Sequence, residues 1–324
     1  MMEEPQNICW ILSDGTVGME VQAVALAKAM SLNYIIKSIT PSNILRIFPG
    51  FGVVPGISIQ KKSQMELGPP YPRFLITCGR RHAGAAIALK RISRNQTYTI
   101  HIQDPRIRPT FFDTLVVPEH DPTRGANVIT SKGSLNNISA TTLEKEGRRF
   151  ASLTKSLPNR KVAINIGGST RNSTVTATQA DKIVAQLRLL ADQTNCGLMI
   201  TTSARTDNIL KNAIFRLSDR PDTIVWSNGD TNPYIGFLAL ADSILVTSDS
   251  INMISEACST GKPVYVLPMG PIPPRRRKFL HLMEKDGRTR FFDGHLETWT
   301  YEPLKEAERI ARVLRRQLQE KNIL

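Results

Sequence analysis

Short apolar runs alternate with longer segments of helical periodicity, and this pattern runs through the chain twice. In the first half, apolar runs at 8–12, 34–36, 74–78, 98–102, 114–117 and 128–131 predict strands. A glycine turn at 15–18 leads into a predicted helix over 19–30, with Val21, Ala25 and Met30 among its apolar positions. Gly79-Arg80-Arg81-His82 opens an alanine-rich helix that runs to Ile92. Residues 41–72 are rich in proline and glycine and yield no clear elements. A second series starts after Leu157-Pro158-Asn159. It predicts strands at 161–166, 197–201, 223–226, 243–246 and 264–267, and helices at 177–194, 207–217 and 233–239, with a short one after residue 250. Residues 305–320 form an amphipathic terminal helix. Strands alternating with helices of this size predict an α/β chain of two Rossmann-like, doubly wound domains facing a cleft. The first domain is expected over 1–157 and the second over 158–304, with helix 305–320 packing back on the first.

Composition fits this division. The chain has 324 residues, 41% of them hydrophobic, and domains of roughly 100–200 residues make two the natural count. Lys and Arg number 42 against 28 Asp and Glu, a net charge of +14. That excess favours an anionic partner: a phosphorylated substrate, an anionic membrane surface or nucleic acid. Aromatic residues are only 6% and no aromatic-rich basic ribbon appears, so nucleic acid is the weakest of the three. Cys9, Cys78, Cys196 and Cys258 lie far apart with no Cys/His cluster, which implies neither a zinc site nor a disulfide framework and fits a reducing cytoplasm. The start, with Glu3-Glu4-Pro5, has no signal-peptide character, and no apolar run nears the roughly 18 residues of a span. Peripheral attachment to the inner membrane face is compatible with the charge.

The chemistry concentrates at strand ends. Thr247-Ser248-Asp249-Ser250 joins a strand to a helix, so hydroxyls and a carboxylate lie where free N–H groups and the helix dipole favour anions. Glu256 comes seven residues after Asp249, two helical turns on, and can face the same side. Donors for a phosphate and a carboxylate for ribose hydroxyls suit a nucleotide, although a bare Ser/Asp helix cap needs the same residues. Gly167-Gly168-Ser169-Thr170-Arg171 and Thr201-Thr202-Ser203-Ala204-Arg205 end two further strands with like chemistry. In a parallel sheet all three loops share one edge, which favours one shared anionic ligand over three separate caps. Asn232-Pro233-Tyr234 begins another helix there, and Tyr234 can stack on a base or pack in the core. Gly15, Gly18, Gln22, Gln103 and Asp104 are the candidates for an acceptor side in the first domain. His120 and Asp121 titrate and follow a strand, so they are candidate general bases. The run Pro274-Arg275-Arg276-Arg277-Lys278 reads as a proline stop followed by a solvated face, a polyphosphate site or a membrane contact.

These residues together resemble the family named for elongated mitochondria, whose plant member is associated with mitochondrial fission. The likeness covers nearly the whole chain. It rests on Asp14-Gly15…Gly18…Gln22, Gln103-Asp104-Pro105-Arg106, Phe112-Asp113…Val116-Val117-Pro118-Glu119-His120-Asp121, Gly125-Ala126-Asn127-Val128 and Ile166-Gly167-Gly168. It rests also on Thr201-Thr202-Ser203-Ala204-Arg205-Thr206, Asn232-Pro233-Tyr234 and Val246-Thr247-Ser248-Asp249-Ser250-Ile251-Asn252-Met253-Ile254-Ser255-Glu256-Ala257. The family in turn looks like the glycosyltransferase-B architecture, such as the peptidoglycan N-acetylglucosaminyltransferase. That resemblance implies a glycosyltransferase using a nucleoside-diphosphate sugar, with no metal and no cofactor. The donor would meet Gly168, Ser169, Thr170, Arg171, Thr202, Ser203, Arg205, Asn232, Tyr234, Thr247, Asp249, Ser250, Met253 and Glu256, with Glu256 on the ribose. The acceptor would be lipid-linked or otherwise near the membrane. The transferase carries a histidine in its first glycine loop where this chain has Met19, which leaves His120 or Asp121 as the substitute base. The alternatives are a non-catalytic protein that binds a nucleotide or lipid headgroup at a membrane, and a nucleotide-sugar epimerase.

Overall fold

A computed structural model describes residues 8–44, 54, 59–169, 174–226, 229 and 231–324. The chain forms two compact units, Met1–Asn137 with Lys305–Leu324, and Ile138–Leu304. The stretch from 138 to 157, expected in the first domain, clusters with the second unit. The helix Ala140–Phe150 carries it there, because Gly236 lets the Phe150 ring approach closely: a Cβ at Gly236 would lie 2.5 Å from that ring.

The first unit contains β1 (Cys9–Ser13), α1 (Val17–Ala29), β2 (Tyr34–Ser38), α2 (Lys61–Met65), β3 (Phe74–Cys78), α3 (Arg80–Ile92), β4 (Tyr98–Ile102), β5 (Thr114–Pro118) and β6 (Val128–Ser131). Its strands form a parallel sheet in the order β2-β1-β3-β4-β5-β6. The second unit contains α4 (Ala140–Phe150), β7 (Lys161–Ile166), α5 (Ala177–Thr194), β8 (Gly197–Thr202), α6 (Asn208–Phe215), β9 (Thr223–Trp226) and α7 (Tyr234–Leu240). It continues with β10 (Ser243–Thr247), α8 (Ile251–Cys258), β11 (Val264–Leu267), α9 (Pro274–Lys285) and β12 (Thr289–Phe291). These strands are also parallel, in the order β12-β11-β10-β7-β8-β9. The final helix α10 (Glu306–Glu320) belongs to the first unit.

Both sheets are covered on two faces, so their central strands are buried throughout. In the second unit, Val162, Ile164 and Ile166 pack under α5 and α6, while Ala163, Met199 and Val246 pack under α7, α8 and α9. In the first unit, Ile310, Leu314 and Leu318 of α10 are fully buried among α1 and the sheet. Glu306 anchors the start of α10: its carboxylate accepts from the Lys132 backbone and from Arg309.

α1, α9 and α4 are among the elements that depart from the sequence expectation. α1 begins at Val17, because the Thr16 carbonyl already accepts from the Met19 and Glu20 N–H groups. Pro274 starts α9 instead of stopping a segment, occupying the first helical turn where its missing N–H costs nothing. α4 has few apolar residues, so hydrophobic periodicity does not announce it, although Ser139 caps it with a 3.1 Å bond from Thr142 N. Among the described residues no helix is long and apolar enough to cross a membrane.

Candidate functional site

The second sheet has a topological switch point. From β7 the chain builds outward through β8 and β9, then returns to place β10 on the other side of β7. Loops leaving the carboxyl ends of β7 and β10 therefore diverge and open a crevice, which is where open α/β sheets bind ligands. Gly167-Gly168-Ser169 leaves β7, and Ser248-Asp249-Ser250 leaves β10.

Asp249 ties these loops together. One carboxylate oxygen accepts from the Thr247 hydroxyl at 2.7 Å. The other accepts from Gly168 N at 3.2 Å and pairs with the Arg205 guanidinium at 3.2 Å. Thr247 in turn accepts from Gly167 N at 2.7 Å. The glycines are steric requirements: a Cβ on Gly167 would lie 2.1 Å from the Asp249 carboxylate, and one on Gly168 would lie 1.9 Å from the Arg205 carbonyl oxygen. Arg205 also reaches this point from the loop after β8, where Ser203 accepts from Arg205 N at 3.2 Å and Thr206 donates to the Gly167 carbonyl at 2.7 Å. The three hydroxyl-rich loops thus meet at one edge. Most of their hydroxyls are engaged within the chain, however. Ser169 donates to Asp207 and accepts from Val175 N, and Ser203 bonds Thr206. Ser250 is the N-cap of α8 and accepts from Met253 N at 3.3 Å.

A narrow pocket of about 10 Å³ opens at this junction, lined by Gly168, Ser248, Asp249, Met269, Gly270 and Arg276 among others. It shares Met269 and Gly270 with a groove of about 410 Å³ beside α5, to which Lys182 and Phe292 contribute. Burial lowers the affinity of the Arg276 guanidinium for its proton, and the nearby Asp249 charge partly restores it. One carboxylate and two guanidiniums leave this corner with positive charge to offer. The start of α9 carries no acidic residue in its first turn and adds a helix N-terminus.

On the α7/α8 face of the same edge stands a second polar group. The Tyr234 hydroxyl donates to Glu256 Oε2 at 2.6 Å, so Tyr234 neither stacks freely nor packs as a plain core ring. Burial pushes the Glu256 carboxyl up to about 7, and the Tyr234 bond acts against that rise. Burial likewise pushes the Tyr234 phenol up, reinforced by the Glu256 charge. Asn232 Oδ1 accepts from Tyr234 N and fixes the start of α7. Asn165, fully buried between Thr201 and Val246 in the register of β7, β8 and β10, has an amide nitrogen with no hydrogen-bond partner among the described residues. The Thr202 hydroxyl is also buried and has no partner among the described residues.

Of the donor-side residues expected from sequence, Gly168, Ser169, Ser203, Arg205, Asp249 and Ser250 lie in the three loops of the carboxyl edge, and Thr202 and Thr247 are the last residues of β8 and β10. Asn232, Tyr234, Met253 and Glu256 lie on α7, α8 and the approach to α7. Thr170 and Arg171 fall outside the described residues. Sequence reasoning did not single out Asn165 or Asp207, and it weighed Arg276 only as part of a charge run. Asn165 carries a legible signal, a lone amide in an otherwise apolar strand.

In the first unit the switch point lies between β1 and β3. Asp14 follows β1 with its carboxylate 3.6 Å from His82 Nε2 and 3.6 Å from Arg81, and His82 holds it well below the usual carboxylate range. Gly15 has a left-handed φ of 79° in the turn before α1. Gln22 is buried and donates to the Gly18 carbonyl of its own helix at 2.9 Å. Met19 packs over Gly79, where a Cβ would lie 2.6 Å from its sulfur and 3.7 Å from Gln103 Oε1. Asp104 braces its loop, accepting from Arg106 N and the Thr123 hydroxyl. His120 and Asp121 lie in the turn after β5 and are 4% and 5% exposed.

The sequence model of the family described as Mitochondrial fission ELM1 matches residues 17–318. The chain belongs to that family. The mitochondrial fission protein ELM1 of Arabidopsis thaliana is 31% identical over 277 residues, which is 76% of this chain and 64% of the plant protein. The chain therefore spans slightly less than two thirds of that relative. Among solved structures, the UDP-GlcNAc 2-epimerase of Methanocaldococcus jannaschii superposes with a TM-score of 0.55 at 14% identity, covering 95% of this chain and 99% of the epimerase. The MurG protein of Acinetobacter baumannii superposes with a TM-score of 0.51 at 12% identity, covering 98% and 93%. At these identities the likeness concerns the fold, which is glycosyltransferase-B-like and shared with nucleotide-sugar enzymes.

Proposed function

We propose that the second unit binds a nucleoside-diphosphate sugar at the β7/β10 switch point and that the protein is a glycosyltransferase. The observation that carries this reading is the junction of Gly168, Asp249, Arg205 and Arg276 at the carboxyl edge, beside the Tyr234–Glu256 pair. The diphosphate would lie against Gly168, Ser248 and the N-termini of α8 and α9, with Arg205 and Arg276 offsetting its charge. As the bond to the sugar breaks, those same groups stabilise the charge that builds on the leaving diphosphate. Glu256 would accept from a ribose hydroxyl. Thr170 and Arg171, and His120 or Asp121 as general base, remain part of the proposal. The superposition on an epimerase keeps a second reading, in which a UDP-sugar is isomerised without an acceptor. Incubation with UDP-, GDP-, CMP- and ADP-sugars followed by product analysis tests both. Release of free nucleoside diphosphate with a glycosylated acceptor supports transfer. Conversion of a UDP-sugar into its epimer supports the second reading. Tight binding with neither product, in the presence of membrane extracts as acceptor, removes catalysis and leaves a nucleotide-binding protein.

A further inference from the structure

Tyr234 lies 22 residues before Glu256, on a different helix, yet its hydroxyl is 2.6 Å from Glu256 Oε2. The bond occupies one carboxylate oxygen and leaves the other for a ligand. It also fixes the carboxylate's orientation, because α7 is held at its start by Asn232 and at its end by Lys262, whose ammonium donates to the Leu238 and Ala239 carbonyls. A phenol that donates to a carboxylate favours the ionised form, whereas burial favours the neutral one. We propose that Tyr234 is a positioning residue that keeps the Glu256 carboxyl aimed at the ribose of a bound nucleotide and favours its ionised form, so that nucleotide binding draws the remaining proton from Glu256. This inference rests on the assignment of the second unit as the nucleotide site.

The proton balance is simple. With Glu256 neutral, one oxygen carries the proton, and a ribose hydroxyl meets a weak acceptor. Binding that requires the carboxylate releases this proton to solvent. Affinity therefore rises with pH through the carboxyl's own titration, near 7 in the free protein, and levels off above it. Two groups facing Glu256 or α7 also titrate. Tyr234 is pushed above its ordinary range and stays protonated throughout. Lys262, at the far end of α7, is brought down to about 8 by burial, and a contribution from it would lower affinity as pH rises, the opposite sign.

The test is calorimetric titration of the full chain with UDP-N-acetylglucosamine from about pH 5.5 to about pH 9, a window that separates ordinary carboxylates from ordinary lysines. The probe's disubstituted diphosphate carries no proton that titrates near neutrality. Wild type should bind more tightly as pH rises and should release a proton below the midpoint, seen as a buffer-dependent heat. Tyr234→Phe keeps the ring and removes the donor. Its midpoint should move up by roughly one unit, with affinity about five-fold lower at neutral pH, about ten-fold lower at the acid end and regained at the alkaline end. Glu256→Gln should bind weakly with a flat profile. A merely structural role for Tyr234 predicts an equal loss at every pH, and that result overturns the inference, as does a flat wild-type profile. Absence of binding by wild type at any pH is a different failure, because it removes the nucleotide site itself.

Discussion

Asp249 is the residue on which the site's shape depends most, and it faces the chain more than any ligand. Its two oxygens hold the Thr247 hydroxyl, Gly168 N and Arg205. Asp249→Ala should therefore lower stability as well as ligand affinity, leaving Gly168 N without its acceptor at a cost of about 1–3 kcal/mol, while the Thr247 hydroxyl keeps the Asn165 carbonyl at 3.3 Å. Thermal melts with and without ligand separate the two effects. Gly168→Ala forces a Cβ into backbone 1.9 Å away, and because no flexible side chain can yield there, loss of soluble expression or a large fall in melting temperature is expected. Glu256→Ala should leave the fold intact and weaken nucleotide-sugar binding roughly 10- to 100-fold, the worth of one hydrogen bond to a charged group. The residue types of this site were legible in the sequence, because hydroxyls, glycines and arginines recur at three strand ends. Their directions were not. Ser169 and Ser203 turn inward to Asp207 and Thr206, and Tyr234 turns to Glu256, since a position at a strand end specifies a neighbourhood and not a rotamer.

The elements followed from the sequence wherever an apolar run had clear ends. β3, β4, β6, β7 and β9 match their expected bounds because each is a short run rich in apolar and β-branched residues closed by a polar or glycine turn. The misses have specific causes. α4 is mostly polar and is held by the Gly147 and Gly236 approaches, a tertiary fact. α9 begins with proline, a residue that stops a helix from within and starts one from its first turn. β12 has three residues and exists through pairing with β11. α10 shows the reverse case, in which a strong amphipathic pattern announces burial: Ile310, Leu314 and Leu318 are fully enclosed in the first unit. Leu314→Ala should cost about 2–5 kcal/mol, measured by denaturant unfolding. Little change would mean that α10 contributes little to that unit.

At the scale of the whole molecule, two facts stand together. The chain belongs to a family described by mitochondrial fission, and its fold is that of nucleotide-sugar enzymes. A net charge of +14 adds a general attraction to anionic surfaces. Sedimentation with phosphatidylserine vesicles should show association at low salt that falls steeply as salt rises, since screened surface charges lose reach. Retention at high salt would point to a contact other than charge. The α/β class and the two-series organisation were readable because strand–helix alternation is a long-range pattern. The switch point was not, because strand order depends on which side of β7 the chain returns to. The central claim is that this switch point holds a nucleoside-diphosphate sugar. Thermal unfolding of wild type against UDP-, GDP-, CMP- and ADP-sugars at millimolar concentration tests it directly. A ligand at 100 times its dissociation constant adds about 2.7 kcal/mol of stability, so at least one sugar nucleotide should raise the melting temperature by several degrees, and Glu256→Ala should diminish that rise. No shift with any of the four would contradict the account.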